Sequence, residues 1–157
     1  MRRLGVGIIG TGWVSREHIK AFNKNPNTKV LAVCSRVFEH AKVVGAEFGI
    51  DRVHEDYTSL LEDRNVDIVT ICTPNYLHHR QAIDSVKAGK HVLVEKPMCD
   101  NAMQSREIVS EVEKTGVKLM VGHVARFVPM FSALKKTIDQ GLLGQLFYAE
   151  GDYQHYV

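Results

Sequence analysis

The stretch Val6-Gly7-Ile8-Ile9-Gly10-Thr11-Gly12-Trp13-Val14-Ser15 decides the fold. Leading into Gly10 is a short apolar run rich in Val and Ile, the pattern of a strand buried on both faces. Ile19 and Phe22 then follow with helical spacing. The two glycines therefore sit in a strand-to-helix turn. Gly10 permits a tight turn, and Gly12 lets the backbone approach a ligand with no Cβ in the way. At such a turn the pyrophosphate of a dinucleotide would meet the amides of the helix N-terminus. Ser15 takes the place of the fingerprint's third glycine, and its small side chain still permits close helix–strand packing. A glycine-rich turn also fits a junction that binds nothing, so the rest of the chain has to decide.

Similar apolar runs recur at residues 30–34, 68–72, 91–94 and 117–121. Helical spacing lies between most of them, with Ala82, Ile83 and Val86 in one segment and Ala102, Ile108, Val109 and Val112 in another. Gly49, Gly89 and Gly116 follow three of the helices, where left-handed C-caps belong. The longer gap between Cys34 and Ile68 has room for a helix, a short strand near residues 52–54 and a second short helix around Leu60. Strands alternating with helices, each crossover long enough for parallel pairing, predict an α/β fold with a doubly wound parallel sheet. The pattern changes near the end. Pro129 can open a helix through Ile138, Gly141 and Gly144 punctuate it, and residues 146–157 form one extended run with Phe147, Tyr148, Tyr153 and Tyr156. A strand there with nothing downstream would be an exposed edge. It is expected either to pair with another chain or to open a second, truncated α+β domain.

At 157 residues, 45% apolar and 24% charged, the chain is of ordinary globular composition. That excludes disordered, collagen-like and mucin-like classes. Twenty Lys and Arg against eighteen Asp and Glu leave a formal +2 with no basic block, which argues against nucleic-acid binding. No stretch approaches the roughly 18 apolar residues of a membrane span, so no membrane partner is expected. Cys34, Cys72 and Cys99 are odd in number and contain no C-x-x-C pair, which favours free thiols in a reducing cytoplasm. Met1-Arg2-Arg3 and the apolar residues after it are too short and glycine-interrupted for a signal peptide. Eight histidines show no metal-ligand spacing, and neither a nucleophile elbow nor a P-loop is present.

Three strand ends carry the candidate chemistry. After the second strand, Ser35 and Arg36 stand 25 and 26 positions beyond Gly10, where an Asp or Glu would bind the ribose 2′-hydroxyl of NAD. A hydroxyl beside a guanidinium suits the 2′-phosphate of NADP instead, and the plain alternative is a solvated loop cation. The fourth strand runs into Cys72-Thr73-Pro74-Asn75, with His78 one turn along the next helix. This loop lies where open α/β sheets place ligands. The alternatives are an N-cap role for Asn75 and a surface position for His78. The segment His91-Val92-Leu93-Val94-Glu95-Lys96-Pro97 ends a buried strand in two opposite charges. A lysine in a partly dry cleft can hydrogen-bond or exchange a proton with a substrate hydroxyl, with Glu95 orienting it or touching the cofactor. A surface ion pair is the alternative.

With these residues in view, the sequence resembles the N-terminal half of the Gfo/Idh/MocA oxidoreductases. The resemblance is carried by residues 7–12 with His18, by Cys72-Thr73-Pro74-Asn75-Tyr76-Leu77-His78, and by Ala88-Gly89-Lys90 leading into His91 and on to Glu95-Lys96-Pro97. It implies a Rossmann-type NAD(P)-binding domain over residues 1–122, and a linker helix and first strand of a truncated substrate domain over 123–157. It implies further that the turn Gly10, Thr11, Gly12, Trp13 and Val14 holds the pyrophosphate, and that Ser35 and Arg36 hold the adenosine ribose or its phosphate. Thr73, Pro74, Asn75 and His78 would serve the nicotinamide half. Lys96 would be the catalytic residue that binds and polarises the substrate hydroxyl, with Glu95 beside it and Arg126 near the active site. The cofactor would be NADP, with NAD allowed, and the substrate a sugar, polyol or related metabolite. Homo-oligomers are common in such a family. Its D-x-x-x-H element has no counterpart here, and neither His123 nor His155 has the matching carboxylate. The chain is thus expected to bind cofactor but to be incomplete for turnover. A non-catalytic nucleotide-sensing or interaction module is the alternative.

Overall fold

Side chains alternate between faces along the first strand, with Val6 and Ile8 in one core and Ile9 in the other, and all three are buried, so the sheet it belongs to is covered on both sides. The computed structural model describes residues 2–152. Its first part runs β1 (Leu4–Ile9), α1 (Trp13–Lys24), β2 (Thr28–Cys34), α2 (Phe38–Phe48), β3 (Arg52–His54), α3 (Tyr57–Leu61), β4 (Ile68–Ile71), α4 (Asn75–Lys87), β5 (His91–Val94), α5 (Ala102–Thr115) and β6 (Leu119–Val121). The six strands pair in parallel in the order β3-β2-β1-β4-β5-β6. This is the doubly wound order of a Rossmann-type sheet, and the direction of winding reverses between β1 and β4.

Ile19 of α1 and Val44 of α2 pack with Val6, Ile8, Val30 and Val33 on one face. Ala82 and Val86 of α4 and Ile108 of α5 pack with Ile9, Val69, Ile71, Val92 and Val94 on the other. Gly49 and Gly116 close α2 and α5 at φ of 65° and 72°, and Gly89 follows α4 at 74°, as their positions predict.

The amino edge of the sheet is pinned by side chains. Asp67, just before β4, accepts from the Gly5 amide at 2.7 Å and from Arg2 at 2.7 Å, while its carbonyl accepts from His91 at 3.0 Å. Lys90 is 8% exposed and donates to the carbonyls of Asp63 and Val66 at 2.9 and 2.8 Å. Burial pushes its ammonium below the usual lysine range.

The chain divides into two units, Met1–Gly122 and His123–Val157. The second contains a 3₁₀ turn (Val124–Phe127) and α6 (Pro129–Asp139), which Pro129 opens as expected. The extended run expected over residues 146–157 does not form a strand in its described part, 146–152. No strand is hydrogen-bonded to it among the described residues, and an isolated extended segment has no ladder to hold it. Tyr153, His155 and Tyr156 lie outside the described residues.

Candidate functional site

The loops after β1, β2 and β4 meet at the carboxyl edge, where the strand order reverses. Gly10 adopts φ 103°, and a Cβ on it would come within 2.6 Å of the Cys72 carbonyl oxygen. A side chain there would force β1 and β4 apart. Gly12 is the N-cap of α1 at φ −68° and ψ 179°, which any residue can adopt, and a Cβ there would meet nothing within 4 Å. Neither backbone nor packing requires that glycine, so the open space lies in front of the helix N-terminus. The first turn of α1 carries no acidic residue to compete with an anion. Ser15 is fully buried and donates to the Gly12 carbonyl at 2.6 Å, which fits its expected packing role. Trp13 is 78% exposed and Val14 half-buried.

Beyond β2, the Thr11 hydroxyl donates to Ser35 Oγ at 3.1 Å, joining the glycine turn to the next loop. Arg36 is exposed and takes part in no ion pair among the described residues. The nearby Asp56 carboxylate is engaged in accepting the Thr58 amide at the start of α3, 2.9 Å away. These loops enclose a crevice of about 920 Å³ that Gly10, Thr11, Gly12, Ser35, Arg36, Thr73 and Pro74 line together. Small-molecule and cofactor sites occupy roughly 300–1,000 Å³. Tyr76, part of the motif that carries the resemblance, also lines it, as do His40, Tyr57 and Gln81, which the sequence reading left unassigned. Cys34 and Cys72 also line the crevice, and burial pushes each thiol up to about 12.

The loop after β4 departs from expectation in two places. Asn75 is not the cap of α4: the helix starts at Asn75 itself, and Pro74, at φ −59° and ψ 145°, precedes it. Asn75 is exposed at the helix's first position, and Thr73 donates to Gln81 at 2.6 Å. His78 is neither a surface residue nor a crevice contact. It is fully buried, with Nδ1 2.8 Å from the Pro97 carbonyl and Nε2 2.8 Å from the Thr73 carbonyl. The ring thus bridges the β4 and β5 loops, a neutral imidazole donating to one of the two carbonyls.

After β5, neither the expected dry cleft for the lysine nor the alternative surface ion pair is found among the described residues. Lys96 is exposed rather than held in a dry cleft, and its ammonium takes part in no ion pair among the described residues. Glu95 turns inward to His18 Nε2 at 3.0 Å. A signal for that pairing existed in His18, noted in the sequence but given no role. Arg126 lies in the second unit, exposed in the 3₁₀ turn, and its amide donates to the His123 carbonyl at 3.0 Å. The groove between α4 and α5, about 590 Å³, is lined by surface charges such as the pair Arg80–Asp84 at 2.7 Å and holds none of the candidate residues. Among the described residues no cluster of His, Cys, Asp or Glu could hold a metal ion, and no helix is long and apolar enough to cross a membrane.

The family model of an oxidoreductase family with an NAD-binding Rossmann fold matches residues 4–123. The chain belongs to the Gfo/Idh/MocA oxidoreductase family. Within that family, it is 32% identical over 154 residues to inositol 2-dehydrogenase/D-chiro-inositol 3-dehydrogenase of Lactiplantibacillus plantarum, covering 96% of this chain and 43% of the relative. Among solved structures, scyllo-inositol dehydrogenase from Lactobacillus casei with bound NAD(H) and scyllo-inositol superposes with a TM-score of 0.85 at 26% identity, over 91% of this chain and 43% of that one. A 3-ketoreductase from Actinomadura kijaniata in complex with TDP-benzene and NADP gives 0.83 at 30% identity, over 90% and 45%. The chain thus spans less than half the length of these Gfo/Idh/MocA proteins, and structures of the family hold either NAD(H) or NADP.

Proposed function

We propose that residues 1–122 form the cofactor-binding part of an NADP-preferring oxidoreductase acting on a hydroxyl-bearing carbon of a sugar, polyol or related metabolite. The observation that carries this reading is the crevice, where an open glycine turn at a helix N-terminus adjoins Ser35 and an Arg36 that makes no ion pair among the described residues. A pyrophosphate fits the space before Gly12, and the 2′-phosphate fits Ser35 and Arg36, since no carboxylate occupies the tip of β2. The nicotinamide half would lie toward Thr73, Pro74 and Asn75, and when bound it supplies or accepts the hydride. Lys96 Nζ, exposed and without an ion-pair partner among the described residues, donates to the substrate oxygen and stabilises charge there. Arg126 is carried along as a candidate cofactor contact on resemblance alone. Substrate class follows the inositol dehydrogenases among the relatives, and three buried free thiols fit a reducing compartment such as the cytoplasm.

Trp13, the single tryptophan, adjoins Gly12 and reports on the turn. Its emission should be quenched saturably by NADPH, with NADPH binding about 10- to 150-fold tighter than NADH, the ratio given by one hydrogen bond between charged groups. Arg36→Ala should erase that ratio, and Gly12→Val should abolish both titrations. Equal or tighter binding of NADH by the unaltered chain would refute the NADP preference.

A further inference from the structure

Glu95 stands at the carboxyl edge of the sheet, yet its side chain turns inward and the residue is 9% exposed. One carboxylate oxygen, Oε1, lies 3.0 Å from His18 Nε2, and the other, Oε2, accepts the main-chain N–H of Lys96 at 3.2 Å. His18 belongs to the second turn of α1, and its Nδ1 is 2.8 Å from Thr70 Oγ1 in β4. The neutral Nε2–H tautomer satisfies both neighbours, donating to the carboxylate and accepting the threonine proton. A Cβ at Gly122, the residue after β6, would come within 2.8 Å of Glu95 Oε1, so the carboxylate fills the space that this glycine leaves. A buried carboxylate is costly unless its oxygens are hydrogen-bonded, and here the partners are an imidazole and the lysine's own amide, not the lysine's ammonium.

We infer that His18 is a positioning residue for Lys96. It fixes Glu95, and Glu95 fixes the backbone from which the lysine side chain projects. Because Gly12 caps α1, one helix then sets both the pyrophosphate turn and the lysine, a coupling that rests on the function proposed above for each. Reacting groups need placement within about 0.5 Å, which a strut between two buried groups provides and an exposed lysine alone does not.

Backbone amide exchange of the 157-residue chain, resolved by NMR, reads the strut directly. In His18→Leu, the Lys96 amide should exchange about tenfold faster or more relative to the Val33 amide of the core, the lower bound for losing a hydrogen bond to a charged group. Gly122→Ala, which crowds the same carboxylate oxygen from β6, should reproduce the effect, and His18→Gln, which keeps a donor and an acceptor, should reverse it. Unchanged Lys96 exchange in both disruptive variants would overturn the inference, as would equal acceleration of Lys96 and Val33, the mark of a pair that only stabilises the core. NADPH titration of the unaltered chain in the same samples reports separately: no binding there would remove the cofactor reading while the exchange result still judged the strut.

Discussion

Arg36 and Lys96 are the two exposed cations at the carboxyl edge, and in each the useful property is the lack of an ionic partner among the described residues. An arginine already paired with a carboxylate would have to give that partner up to a phosphate. In a version of the chain that also carries the substrate domain, Lys96→Ala should lower hydride-transfer turnover at least tenfold while the NADPH dissociation constant changes less than about threefold, because in the proposed function the ammonium meets the substrate and not the phosphates. A comparable loss of NADPH affinity would place the lysine in the cofactor seat instead. The buried thiols give a prediction of stability against pH. Cys34 and Cys72 are held protonated up to about 12, against an ordinary value of 9.0. The unfolded chain loses those protons first as pH rises, so the folded state binds more protons between about pH 9 and 12. Their contribution is therefore fully present below about pH 9 and declines above it, by at most about 1.4 kcal/mol per pH unit for each thiol. Urea midpoints at pH 8 and pH 10 should fall less for Cys34→Ala than for the unaltered chain. At this scale the sequence was a partial guide. The positions of Gly10, Gly12 and Arg36 at strand ends could be read because strand ends are local, whereas the burial of His78 and the inward turn of Glu95 depend on carbonyls and helices distant in the chain.

Elements were more legible than side chains. Each strand of the sheet was marked by an apolar run or, for β3, by the gap it had to occupy, because a parallel strand covered on both faces has no polar side to disguise it. The same logic failed at residues 146–152, where an extended run with Phe147 and Tyr148 marked a strand that has no ladder among the described residues. A strand is defined by its neighbour, and composition cannot supply one. The seating of α1 against β1 depends on a small residue at Ser15, whose side chain is fully buried. Ser15→Leu should cost roughly 1–3 kcal/mol through overpacking, whereas Ser15→Gly, the fingerprint's own residue, should be tolerated within about 1 kcal/mol. Urea denaturation followed by circular dichroism distinguishes the two, and equal losses would mean that the helix–strand distance is not what position 15 controls.

For the whole molecule, the division into two units gives ligand binding a local signature. NADPH at 100 times its dissociation constant should stabilise the unit that binds it by about 2.7 kcal/mol. Unfolding followed at Trp13 should shift accordingly, while amides of α6 in the second unit should unfold at an unchanged urea concentration. A shift of both together would mean that the units unfold as one. The sheet itself is polarised in a way that bears on how such a chain can change over time. Asp67 and Lys90 lock the amino edge by hydrogen bonds to main-chain groups of β1, β5 and the loop before β4. Substitution there is opposed by folding alone, whatever the protein is asked to bind. The loops at the opposite edge hang from strands already fixed at their far ends, and so can exchange residues, and with them cofactor and substrate preference, without each change having to re-found the sheet.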